Sequence, residues 1–142
     1  MINQFKKTFG NPEETIICIG DWEQRKQMKY KEPTLGKGMR TLFRKNNYKV
    51  YLVDEFRTSC KCCNCEGGDC EKFMIRENPK PWKNNYALVH GLLRCKSGCG
   101  LWNRDTNGAK NIYKISYNHI NNIERPMYLS RSKKSGTLHD VP

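Results

Sequence analysis

Apolar residues in this chain come in short runs separated by long charged stretches. Thr15 to Gly20, TIICIG, has the length and β-branching of a buried strand. Asp21 and Trp22 lie just past its end, and Glu23 to Lys37, charged and holding Pro33 and Gly36, reads as a loop. Met39, Leu42 and Phe43 fall at helical spacing and predict a short amphipathic helix, for which Asn46 and Asn47 make a suitable stop. Tyr48 to Phe56, YKVYLVDEF, predicts a second strand that carries two acids, Asp54 and Glu55. Cysteine then dominates from Cys60 to Cys70, followed by a polar linker with Pro79 and Pro81. Tyr86 to Arg94 predicts a strand leading to Cys95 and Cys99. From Thr106 to about Asn118 the pattern is helical, with Ala109, Ile112 and Tyr113 on one face. The terminal RSKKSGTLHDVP has little periodicity and reads as a basic, flexible tail. There is no internal repeat beyond two cysteine pairs.

The charge narrows the partners. At 142 residues the chain is long enough for one ordinary domain, and its formal net charge of +12 favours a polyanion, most commonly nucleic acid. No apolar run spans a bilayer and no basic amphipathic helix stands out as an anchor, so no membrane partner is expected. The N-terminal MINQFKKTFGNPEET lacks the apolar centre of a secretion signal, which implies an intracellular protein whose thiols stay reduced. RSKK is too short to define a nuclear signal, so nucleus and cytoplasm both stay open.

Eight cysteines in such a compartment point to metal rather than disulfides. Cys62-x-x-Cys65 and Cys95-x-x-x-Cys99 are two short-spaced pairs across a long loop, the pattern of a four-thiolate zinc ribbon. Each pair sits on a tight turn that aims both sulfurs the same way, and tetrahedral zinc closes the set. Gly98 and Gly100 beside Cys99 ease the tight backbone of the second turn. Zinc supplies folding energy that a small polar segment cannot draw from an apolar core. Spacing alone leaves the register open: Cys60-x-x-Cys63 is an equally valid pair, and Cys70 and His90 are spare ligands. Cys18, inside the first apolar run, reads as a core residue.

The order of these features resembles the C-terminal part of the Fanzor/TnpB (OrfB-type) family of transposon-encoded RNA-guided nucleases. The resemblance rests on TIICIGDW, VYLVDEFRTS, the two cysteine pairs and LWNRDTNGAKNI, and covers about Ile16 to Arg131. Thr58, Ser59, Cys62 and Cys65 match the family's TS-x-x-C-x-x-C form, which favours that register. Arg104, Asp105, Asn107, Ala109, Asn111 and Ile112 match its R-D-x-N-x-A-x-N-I form. Asp21 stands where TnpB proteins have a glutamate; in the similar Fanzor branch that acid moves to the strand before the ribbon, where this chain has Glu55. The segment around Arg125, Pro126 and Tyr128 is Fanzor-like as well.

The resemblance implies an α+β chain: a partial RNase H/RuvC-like fold interrupted by a four-cysteine zinc ribbon. Its expected parts are a RuvC-like strand, helix and strand over 1–57, the ribbon over 58–102, a last RuvC-like helix and flank over 103–130, and the tail over 131–142. It also implies phosphodiester hydrolysis on two Mg²⁺ ions roughly 4 Å apart, held by carboxylates. Glu55 and Asp105 would be ligands, with Asp21 a weaker candidate. By spacing alone Asp105 reads as a helix N-cap and Glu55 as a strand-end charge. Nothing before Thr15 offers the acidic first strand of such a fold, so the expectation is a C-terminal piece, inactive alone: a split gene completed by an upstream polypeptide, a decayed gene, or a module reused for binding. DNA and a guide RNA are the implied partners. Arg40, Arg44, Arg57, Lys61, Lys83 and Arg104 are candidate phosphate contacts, and Trp82 a base-stacking one. The competing reading is a stand-alone zinc-ribbon module that binds nucleic acid or protein without chemistry.

Overall fold

A computed structural model describes residues 1–21, 36–80, 82, 84–131 and the backbone of 139–140. Trp22, Lys83, most of the expected loop from Glu23 to Lys37 and most of the tail lie outside the described residues. In chain order the elements are α1 (Ile2–Phe9), β1 (Ile16–Gly20), α2 (Gly36–Lys45), β2 (Lys49–Val53), β3 (Cys70–Glu71), β4 (Ile75–Glu77), β5 (Tyr86–Leu88), β6 (Leu92–Cys95), β7 (Leu101–Asn103), α3 (Arg104–Ile120), a 3-10 turn (Met127–Leu129) and β8 (His139–Asp140). The chain is thus α+β, and it divides into two compact units, Met1–Asp54 with Thr137–Pro142, and Glu55–Gly136.

In the first unit β1 pairs in parallel with β2, Ile17 opposite Val50 and Ile19 opposite Leu52, with α2 as the crossover. The pattern of apolar positions accounts for this part. Phe43 is buried on the inner face of α2, and Asn47 ends the helix at φ 64°, a left-handed conformation that Asn tolerates better than most residues. Phe43, Tyr48 and Val50 form the core, with Ile2, Phe5, Ile17 and Ile19 packed against it. No element is expected before Thr15, yet Ile2, Phe5 and Phe9 sit at helical spacing on α1. Phe5 lies 4.7 Å from the Phe43 ring and edge-on to Tyr48 at 5.4 Å, arrangements that aromatic quadrupoles favour. The expected second strand, Tyr48 to Phe56, is shortened at both ends to β2. Within the expected flexible tail, β8 pairs antiparallel with β2.

The second unit is built on a three-stranded antiparallel sheet in the order β3-β6-β7, with β4 and β5 forming a separate hairpin. The expected strand Tyr86 to Arg94 is two strands: β5 serves the hairpin and β6 the sheet. β7 runs directly into α3, whose N-cap is Asn103: its Oδ1 accepts from the N–H groups of Asp105 at 2.9 Å and Thr106 at 3.1 Å. Asp105 is therefore not the cap but lies in the first helical turn, where its charge complements the helix dipole. The face of α3 is also corrected. Asn107, Asn111, Ile115 and Ser116 are buried, whereas Ala109 is exposed and Tyr113 is 67% exposed. No described helix is long and apolar enough to cross a membrane.

Candidate metal centre

The sulfurs of Cys62, Cys65, Cys95 and Cys99 all lie within 4.8 Å of one another. Tetrahedral zinc with Zn–S bonds of about 2.3 Å needs sulfurs about 3.8 Å apart, and the Cys65–Cys95 pair is at 3.6 Å. Four soft thiol donors on two rigid turns fit zinc. The register left open by spacing is Cys62 with Cys65: Cys60 is exposed and Cys63, though buried, lies outside the quartet. His90 is also outside it, its Nδ1 2.7 Å from Lys72 Nζ. Cys18 is half-buried in β1, in the other unit.

Local chemistry explains each turn. In the first, the Cys62 N–H donates to Gly68 O at 2.8 Å, and the Asn64 N–H reaches Cys62 Sγ at 3.5 Å. Gly68 has to be glycine for space: a Cβ there would overlap the Cys65 sulfur and come within 2.9 Å of Ser97 Oγ. Lys61 braces the turn from outside, donating to Gly67 O at 2.9 Å and pairing with Asp69 at 2.7 Å. In the second turn Gly98 and Gly100 sit at φ 83° and 110°, conformations open to glycine but not to most residues. The Cys95 N–H closes that turn on Gly100 O at 3.0 Å.

The electrostatics favour a cation. Burial works against ionisation of Cys95, but N–H donation to its sulfur from Cys99 and Ser97 outweighs it and brings its pKa down to about 6. Cys99, hydrogen-bonded to Cys65 and desolvated, is pushed up to about 12. Four thiols in one site can all ionise only when a positive charge offsets their repulsion. Cys70, paired with Cys95 across the β3–β6 ladder, is a fifth sulfur. Burial and the nearby Cys62 and Cys95 push its pKa up to about 12.

The helix α3 grips the first turn through side chains to which sequence reasoning gave no role. Asn107 Nδ2 donates to Thr58 O at 3.1 Å and Lys61 O at 2.8 Å, and Asn111 Nδ2 donates to the same two carbonyls at 2.9 Å each. Asn107 Oδ1 accepts the Cys63 N–H at 2.9 Å, and Lys114 Nζ donates to Cys63 O at 3.1 Å. Both asparagines are 0% exposed. Asn111 Oδ1 is buried without a hydrogen-bond partner, an arrangement that costs about 1–3 kcal/mol. An apolar residue would avoid that cost, so the Asn111 amide is justified by the carbonyls it satisfies. The signals were the match of both asparagines to the R-D-x-N-x-A-x-N-I form and their placement four apart inside a helix, where this residue is a poor helix former.

Glu55 is half-buried, and its carbonyl accepts from Thr58 Oγ1 at 3.0 Å. Asp105 is exposed at the start of α3. Among the described residues of this unit, the one group of three or more metal-ligating side chains is the cysteine quartet. Asp21, exposed, belongs to the other unit and follows β1. Arg40 is buried, its Nη2 3.5 Å from Gly20 O, so it is a core group and not a surface cation. Arg44 is half-buried, and Lys61 is committed to the brace just described. Arg57 and Arg104 are exposed, and Trp82 is 77% exposed.

No curated protein is similar enough to the chain to match it. The sequence pattern of the family described as Cas12f1-like, TNB domain, matches residues 39–112, just over half of the chain. That span takes in all four clustered cysteines, the two clamping asparagines and Asp105, and the chain belongs to the Cas12f1-like, TNB domain family.

Proposed function

We propose that this chain is the zinc-holding, nucleic-acid-binding C-terminal portion of a TnpB-type RNA-guided DNA endonuclease, of the Fanzor branch. The observation that carries the reading is the four-thiol site lying inside the family-matched span. The net charge of +12 supports a nucleic-acid partner, and exposed Arg57, Arg104 and Trp82, with Lys83, are the contacts proposed for it. The parallel β1–α2–β2 unit supports a RuvC-like segment. Asp105 and Glu55 are the proposed catalytic acids, with Asp21 a weaker third. Glu55 and Asp105 by themselves supply too few carboxylates for two hard, geometrically demanding ions, so the chain alone is proposed to be inactive and to need an upstream polypeptide. The compartment is proposed to be intracellular. The second reading, a zinc module without chemistry, is favoured by the absence of a carboxylate cluster among the described residues of the second unit.

One experiment separates the two. The zinc-loaded chain is titrated with labelled single-stranded and duplex DNA and RNA at rising salt, then assayed for plasmid cutting with Mg²⁺ or Mn²⁺, alone and mixed with any upstream polypeptide from the same locus. The nuclease reading expects salt-sensitive binding with little sequence preference, no cutting alone, and cutting in the mixture that Asp105→Ala and Glu55→Gln abolish. Cutting by the isolated chain rejects the proposed inactivity. Binding without cutting in any mixture favours the module, and no binding at low salt rejects both nucleic-acid readings.

A further inference from the structure

We infer that Asn107, Asn111 and Lys114 are positioning residues through which the thiolate metal site sets the placement of the first turns of α3, and with them Asp105. The three residues lie at i, i+4 and i+7, on one face of the helix. All of them reach the backbone of the segment that presents Cys62 and Cys65. The two amides converge on one pair of carbonyls, so each oxygen receives two N–H groups. This four-bond arrangement exists only while Thr58 O and Lys61 O point the same way, which the folded turn around Cys62 enforces. The other half of the site is tied to the same helix by a different route: Cys95 ends β6, β6 is paired with β7, and β7 continues into the Asn103 cap. Both cysteine turns therefore meet at the N-terminal half of α3. Asp105 lies two residues before Asn107, within the part held from both sides.

A metal that locks the turns must favour the clamped helix, and by linkage the clamp must strengthen the hold on metal by the same factor. The role given to Asp105 rests on the nuclease reading; the coupling between metal and helix does not.

The test uses the full zinc-loaded chain. Zinc release to a chromophoric chelator is timed under native conditions. Amide hydrogen exchange over residues 104–112 is followed with metal bound. Asn111→Ala is compared with Ile115→Ala, which removes a buried side chain of the same helix that is not part of the clamp, and with Tyr113→Ala on the exposed face. Asn111→Ala should speed zinc release about ten-fold and raise exchange over 104–112. Ile115→Ala should lower thermal stability and leave the release rate near wild type, and Tyr113→Ala should change neither. Where Asn111→Ala does not fold, Asn111→Ser and Lys114→Met, which keep part of the clamp, serve in its place, and release and exchange should rise together across the series. Equal acceleration by Ile115→Ala and the asparagine variants would reduce the amides to ordinary packing and overturn the inference. So would a wild-type release rate in the clamp variants. Neither readout involves nucleic acid or cutting, so failure here and failure of the nuclease reading are distinguishable.

Discussion

The two units of this chain are held together by different chemistry. The first has an apolar core in which Phe43, Tyr48 and Val50 are buried and Phe5 packs tilted against Phe43 and edge-on to Tyr48. Among the described residues of the second, the buried side chains include only Leu93, Ile115 and Leu129 as aliphatics, beside Cys62, Cys63, Cys95, Thr58, Asn107, Asn111 and Ser116. So small an apolar set cannot offset the conformational entropy of a segment this long. The second unit replaces a core with a metal knot whose turns are tied to a helix by amide hydrogen bonds. A core tolerates many apolar sequences; a knot of this kind depends on particular atoms.

The strongest way to break the comparison is to remove the metal. A structural zinc in a small domain contributes on the order of 10–16 kcal/mol at neutral pH, more than the whole stability of most domains. Treatment with a strong chelator, or Cys95→Ser, should collapse hydrogen-exchange protection over residues 55–131 while residues 1–21 and 36–54 keep theirs. Metal analysis should give close to one zinc per chain in the wild type and much less in the variant. Persistent protection of α3 without metal would show that the second unit has a core of its own.

The converse lesion is Phe43→Ala. Phe43 is 6% exposed and touches both Phe5 and Tyr48, so truncation should cost about 3–5 kcal/mol through lost burial and a cavity. The loss should appear as protection missing from α1, β1 and β2, with zinc content unchanged. A fall in zinc content would show that the two units do not fold separately.

The same contrast explains what could be read from the sequence. The first unit follows hydrophobic periodicity, and β1, α2 and β2 were legible as a strand, a helix and a strand. α1 was not, because eight residues with two lysines give a weak signal, and its helical spacing acquires meaning only when Phe5 meets Phe43 and Tyr48. In the second unit the two cysteine pairs were legible because metal geometry imposes sequence spacing, whereas the choice of Cys62 and Cys65 over Cys60 and Cys63 came from the family resemblance. The buried face of α3 was not, because periodicity looks for apolar stripes and this helix buries amides. Nor was the burial of Arg40 legible: charge alone does not say whether a guanidinium finds a carbonyl such as Gly20 O inside the fold.

The smallest effect tests the brace outside the knot. Lys61 Nζ has a side chain only 12% exposed and bonds both Asp69 and Gly67 O, so it ties together the two ends of the loop that closes on Cys62 and Cys65. The hydrogen bond from Lys61, reinforced by its charge, holds the Asp69 carboxyl below the usual range. A carboxyl depressed in the folded state contributes stability that is fully present above its unfolded pKa, about 3.9, and is lost as pH falls through the lower folded value. Asp69→Asn should therefore weaken zinc retention slightly at pH 7, where the ammonium keeps only the Gly67 carbonyl. Zinc release itself accelerates with acid in both proteins, because protons compete for the thiolates, so the informative quantity is the ratio of their release rates. That ratio should hold steady from pH 7 down to about 5 and approach one below about 4. Glu71, held low by Arg94, is present in both proteins and cancels. A ratio of one at every pH would show that Lys61 is anchored by Gly67 alone, and the knot would then be independent of surface charge.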